Sequence, residues 1–200
     1  MKIYGDRQSG NCYKIQLVCG LLNIEHEWID IDILAGQTQT EAFLALNPNG
    51  KLPCLVLEDG RCLSESNAIV NYLASDSHIL PKEPYELALV QQWQFFEQYS
   101  HEPYIAVARF INKYLGLPED KKDEYYAKQL GGYKALDVME NQLAQTHFLT
   151  GNKITVADLC LFAYTHVADE GGFELSKYIA INLWIKRIKE LTGFTPMLSK

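Results

Sequence analysis

The sequence predicts an α/β domain of order βαβαββα followed by an all-helical domain. Three observations carry this expectation. Strand-like alternation is confined to the first third of the chain. A polar segment with two prolines, Ser75 to Glu86 (SDSHILPKEPYE), follows it and reads as an exposed linker. Beyond Glu86 only helical periodicity returns. The expected domains are residues 1–76 and 87–200, joined by a linker at 77–86.

Lys2 to Gly5 reads as a short strand, and Asp6 to Asn11 (DRQSGN) as a polar loop ending in helix-capping residues. A helix is expected from about Cys12 to Leu22, with Ile15, Val18, Cys19 and Leu22 on one face. His26 to Ile33 alternates Ile29, Ile31 and Ile33 with Asp30 and Asp32, the pattern of a half-buried strand. Strand, helix, strand at this spacing makes a right-handed βαβ unit with parallel strands. Ala35 to Thr40 is a polar loop, and Glu41 to Leu46 a short helix.

Asn47 to Ser66 reads NPNGKLPCLVLEDGRCLSES. Asn-Pro and Asn-Gly are turn signals. Pro53 heads an apolar strand, where its missing N–H costs no ladder bond, and Asp59-Gly60 marks a tight hairpin. Ser64 or Ser66 is a candidate cap for a helix from Ala68 to Ala74. The arrangement sets a free backbone edge, which suits a peptide, beside a helix N-terminus, which suits a carboxylate.

In the second part, Leu87 to about Leu115 is one long or broken helix with Pro103 as kink or restart. Glu119 to Gln145 is a second helix, and its Gly131-Gly132 pair implies close packing or a kink. Thr155 and Asp158 form a capping box at the start of another helix. Ser176 to Leu191 is a final amphipathic helix, and the tail from Thr192 reads as loosely held. Arg109, inside the apolar run IAVARF, needs an anionic partner, either a carboxylate of the protein or one of a substrate.

The chain is 48% hydrophobic and 22% charged, as expected of a water-soluble globular protein. Its formal net charge of −7 and lack of a basic run argue against a nucleic-acid partner. No apolar stretch approaches the ~20 residues of a membrane span. Five cysteines, mostly in apolar contexts and without a C-x-x-C pair, fit reduced thiols in a cytoplasm. The five histidines have no metal-ligand spacing, so no metal is expected.

The set N-P-x-G-K-L-P, the Asp-Gly hairpin and E-S-x-A-I-x-x-Y-L resembles the glutathione-binding half of cytosolic glutathione transferases. The helical half carries the matching x-G-x-x-x-T-x-A-D motif at Gly151 to Asp158. The resemblance spans essentially the whole chain and implies a thioredoxin-like domain followed by a helical domain that forms the hydrophobic substrate pocket. It implies that Leu52, before a cis-Pro53, pairs its backbone with the cysteinyl part of glutathione. Glu65 and Ser66 would hold the γ-glutamyl carboxylate, and Lys51 the glycyl end.

Ser9-Gly10-Asn11-Cys12 lies at the end of the first strand, where ligands of α/β sheets collect. It resembles the S-x-x-C loop of serine-type theta enzymes and the T-P-N-G loop of bacterial Nu-type enzymes, which makes Ser9 and Asn11 the catalytic candidates. A Ser9 hydroxyl donating to sulfur beside a helix N-terminus would favour the thiolate; the residue is then a donor and not a nucleophile. Cys12 reads as a small packing residue more readily than as a reactive thiol. Tyr104 and Arg109 are candidates for the hydrophobic substrate pocket.

The implied activity is addition of glutathione to a hydrophobic electrophile, with glutathione peroxidase activity as an extension. Glutathione is the co-substrate, no prosthetic group is implied, and the expected assembly is a homodimer. Two alternatives stand beside it: a Nu-type glutathione-dependent disulfide reductase, and a noncatalytic glutathione-binding interaction protein.

Overall fold

The computed structural model describes residues 1–198. The chain forms two compact units, one of Met1–Ser77 with the segment from Leu191 onward, the other of His78–Glu190.

The first unit is built on a four-stranded mixed sheet of order β2-β1-β3-β4, from β1 (Lys2–Gly5), β2 (Glu27–Asp30), β3 (Cys54–Val56) and β4 (Cys62–Ser64). β1 runs parallel to β2, with Ile3 opposite Trp28, and antiparallel to β3, with Ile3 opposite Leu55. Ile3 and Leu55 are fully buried at the centre of the sheet. β2 is shorter than the alternation predicts: it ends at Asp30, and Ile33 is exposed because the chain turns at Asp32, whose carboxylate accepts from the Ala35 N–H at 3.0 Å. The hairpin loop has three residues rather than two. Leu57 N–H closes on the Arg61 carbonyl, and Gly60 takes φ +85°, the left-handed position that such loops require.

Helix α1 (Gly10–Leu21) begins at Ser9, whose side chain is the N-cap. It is not the one-faced amphipathic helix that the spacing suggests. Cys12 through Cys19 are all buried, Lys14 and Gln16 included. The short helix α2 (Glu41–Leu46) is capped by Thr40, and α3 (Ser66–Leu73) packs on α1.

The tail is held rather than loose. The Tyr13 hydroxyl donates to the Thr195 carbonyl at 2.7 Å. A side chain at Gly20 would meet the Gly193 carbonyl at 2.5 Å, so α1 and the tail touch backbone to backbone.

The second unit is helical. A single helical path runs through α4 (Pro84–Phe96), a π-helical turn at Glu97–His101, α5 (Glu102–Arg109) and another π turn at Phe110–Tyr114. Pro103 sits in the first turn of α5, so it restarts the helix after the π turn without costing an internal bond. Helix α6 (Lys122–Leu143) passes unbroken through Gly131 and Gly132. Their missing side chains admit the rings of Tyr104 and Phe173, so close packing explains the pair.

Helix α7 (Val156–Thr165) is buried along its entire length and forms the core of this unit, against α4, α5 and, from α8 (Ile179–Lys189), Trp184. Its capping box is present. Asp158, fully buried, accepts from the Thr155 N–H (2.9 Å) and hydroxyl (3.2 Å), the Leu149 N–H (2.8 Å) and Trp184 Nε1 (3.0 Å).

His166 ends α7, with its ring stacked on Phe162 and Nδ1 placed 2.8 Å from the Phe162 carbonyl, where it donates. Burial pushes its pKa down to about 4, against a smaller upward pull from that hydrogen bond. Because the folded value lies below the unfolded one of about 6.5, the stability is complete above pH ~6.5 and is lost as pH falls toward 4. The loss amounts to roughly 3 kcal/mol over that window. Urea titrations at stepped pH should therefore show a steeper acid decline for the wild type than for His166→Phe; parallel curves would refute this.

Candidate functional site

Four candidates of the first unit, Ser9, Asn11, Glu65 and Ser66, lie at the N-termini of two packed helices. Ser9 sits at the N-cap of α1 with φ −73° and ψ 126°, and its Oγ accepts a long 3.5 Å bond from the Cys12 N–H. An accepting hydroxyl keeps its hydrogen to donate elsewhere. Asn11 follows in the first turn, and its Oδ1 accepts from the Ser66 hydroxyl at 3.2 Å. That bond joins the start of α1 to the start of α3.

Helix α3 starts differently from the sequence expectation. Neither Ser64 nor Ser66 caps it. Glu65 is the N-cap residue and makes no side-chain cap bond, while Ser66 is already in the first turn. Glu65 has φ +68° and ψ 113°, a sparsely populated conformation for a side-chain-bearing residue, of the kind that concentrates at ligand sites. Ser66 is buried and Glu65 exposed. The first amides of α3 are thus left without a capping side chain, as anion binding at a helix N-terminus requires.

The Leu52-Pro53 peptide bond is cis. Among the described residues, no backbone hydrogen bond takes up the N–H or carbonyl of Leu52, which lies just before the β3 ladder. The preceding loop is held by Asn47, buried at the end of α2. Its Nδ2 donates to the Lys51 carbonyl at 2.7 Å, and its Oδ1 accepts from the Asn49 N–H at 3.2 Å. Asn47 is a supporting residue that sequence reasoning treated only as turn punctuation. The Lys51 side chain is exposed.

Lys14 is the larger omission. It is fully buried, and its Nζ donates to Ser66 Oγ and to Asn67 Oδ1, each at 3.2 Å. A lysine in the second turn of a helix ordinarily reads as a solvent-facing charge. Only the contact with α3 reveals it.

Cys12 is fully buried, and burial pushes its thiol up to about 12, against a smaller downward pull from the Ser9 hydroxyl. It is a packing residue and stays protonated at neutral pH.

The two substrate-pocket candidates, Tyr104 and Arg109, both belong to the helical unit. Arg109 is 3% exposed, and its anionic partner belongs to the protein: Nε lies 2.6 Å from Glu170 Oε2, while Lys113 takes the other carboxylate oxygen at 2.7 Å. The Arg109 charge is thus met within the protein. The Tyr104 ring lies over Gly131, with Lys128 Nζ 5.5 Å from its centre. A groove of about 310 Å³ in this unit is lined by Gln92, Trp93, Phe96, Val138, Asn141, Gln142 and Gln145, and by neither candidate.

Comparison with known proteins agrees with this geometry. Residues 8–76 match the family described as glutathione S-transferase, N-terminal domain, and residues 78–191 match the glutathione S-transferase, C-terminal domain. The solved structure of a glutathione S-transferase from Pseudomonas fluorescens is 60% identical with a TM-score of 0.98, covering 99% of this chain and 98% of that one. Glutathione S-transferase F13 of Arabidopsis thaliana is 31% identical over 178 residues, 83% of this chain and 79% of that protein. The glutathione transferase URE2P6 from Phanerochaete chrysosporium, solved in complex with oxidized glutathione, is 25% identical with a TM-score of 0.87, covering 96% of this chain and 91% of its own.

Proposed function

The chain belongs to the glutathione S-transferase family, and on that premise we propose that it binds glutathione on its first unit, stabilises the thiolate and adds it to an apolar electrophile. The observation that carries this reading is the Asn11–Ser66 hydrogen bond. It brings a thiol-facing loop and an uncapped helix N-terminus side by side, next to the open Leu52 backbone. In this reading Leu52 pairs with the cysteinyl backbone beside Pro53. Glu65, Ser66 and the first amides of α3 hold the γ-glutamyl end, Lys51 the glycyl carboxylate, and Ser9 donates to sulfur. Tyr104 is retained as a residue of the apolar pocket, and Arg109 is not, because Glu170 occupies it.

Asn11 supports a second reading, reduction of disulfides by bound glutathione. Its side chain already lies within hydrogen-bond reach of the γ-glutamyl site. Calorimetric titration with glutathione, followed by parallel turnover assays with an aryl halide, a hydroperoxide and a small disulfide, decides among these. Binding with aryl-halide conjugation supports the leading reading, and binding with disulfide reduction alone favours the second. Binding without turnover of any of the three leaves an interaction protein.

Two further elements belong to the proposal. All five cysteines are free thiols, which fits a cytoplasmic setting. No helix of the described residues is long and apolar enough to cross a membrane. Phe95 (71% exposed) and Tyr99 (85%) stand four residues apart on the helical path and supply apolar surface for a homodimer. Sedimentation of the wild type against Phe95→Glu checks this, with a shift toward monomer expected.

A further inference from the structure

Lys14 has no place in the chemistry described so far, yet its location is costly. Taking an ammonium group out of water costs several kcal/mol, so a fully buried lysine is retained only where its donors are used. Two of them go to the first turn of α3, to Ser66 Oγ and Asn67 Oδ1.

The consequence lies in the serine. A hydroxyl has one hydrogen and two lone pairs. An ammonium donates and never accepts, so it claims a lone pair of Ser66 and leaves the hydrogen to point elsewhere. Here that hydrogen goes to Asn11 Oδ1. A carboxylate reaching the uncapped start of α3 is a stronger acceptor than an amide oxygen and would take the hydrogen over. The cation behind the hydroxyl polarises it toward that exchange.

We propose that Lys14 is a positioning residue for the γ-glutamyl carboxylate of glutathione, acting through Ser66 by holding its hydroxyl in a donor-only orientation. The assignment rests on the glutathione-binding reading above. It makes Lys14 a determinant of selectivity for ligands that carry a carboxylate at that end.

The test compares two ligands, glutathione and its analogue 4-aminobutyryl-cysteinylglycine, which lacks only that carboxylate. Dissociation constants are measured for the wild type, Lys14→Met and Lys14→Gln. Lys14→Met is expected to weaken glutathione binding roughly tenfold while leaving the analogue within about twofold, in keeping with the loss of one charge-assisted hydrogen-bond contribution. Lys14→Gln keeps a neutral donor and should fall between the two proteins for glutathione. It also supplies the comparison if Lys14→Met fails to fold by circular dichroism.

A merely structural role would weaken both ligands alike, and that result, or no change for either, overturns the assignment. A wild type that ignores glutathione sinks the underlying reading instead. A wild type that binds it, with no selective loss in the variants, sinks only the role of Lys14.

Discussion

In a Ser9→Ala variant the thiol of bound glutathione is expected to titrate near its free value of about 8.5. In the wild type the Ser9 hydroxyl, whose oxygen accepts from Cys12 N–H and whose hydrogen remains to donate, should hold it lower. A depression of about two units corresponds to roughly 2.7 kcal/mol and raises the thiolate fraction at neutral pH at most about thirtyfold. The fall in kcat/KM for Ser9→Ala should therefore stay within about thirtyfold.

Ser9 is also the N-cap of α1, and losing a cap costs about 0.5–2 kcal/mol of stability. Ser9→Asp separates the two roles. Aspartate caps as well as serine, but it has no hydroxyl hydrogen and sets a like charge beside the sulfur. Its stability should match the wild type while the bound thiol titrates above the free value. The readout is thiolate absorbance against pH. Coincident curves for wild type and Ser9→Ala, with binding intact, would move the role to Asn11.

Asp158→Ala is expected to cost the helical unit about 3–5 kcal/mol, because three buried N–H donors and a hydroxyl lose their acceptor together. The donors are spread over the segment before α7, the cap of α7 and Trp184 of α8, so one carboxylate ties three parts of the unit together. Urea unfolding followed by tryptophan fluorescence reads the effect directly. Asp158→Asn keeps one acceptor oxygen and should lose less. A deficit below about 1 kcal/mol for the alanine variant would mean that the network adds no more than a single ordinary hydrogen bond.

What was legible in the sequence was local. The capping box of Thr155 and Asp158 lies within one turn, and its residue types name its bonds. The turn, proline and hairpin signals from Asn47 to Gly60 likewise act over neighbours, and both strands they bracket are present. Boundaries failed where a side chain of the pattern bonded to the backbone instead, as at Asp32, where the chain turns after β2. The start of α3 failed for a related reason. Serine is a common cap, yet here Glu65 takes the capping position with a positive φ, and Ser66 is drawn inward toward Lys14 and Asn11.

Partners distant in the chain left no trace in spacing. Arg109 visibly needed an anion, but Glu170 lies 61 positions away. Lys14 was given no role by the spacing, because its partner Ser66 lies 52 positions on.

The held tail bears on biosynthesis. The first unit is not complete when residue 77 leaves the ribosome, because its last segment, from Leu191, is translated only after the entire helical unit. Tyr13 receives the Thr195 carbonyl only after the helical unit has been made, and the bare backbone at Gly20 is covered by Gly193 at the same late moment. The nascent first unit must therefore persist with one flank of α1 unsealed while the entire helical unit is synthesised.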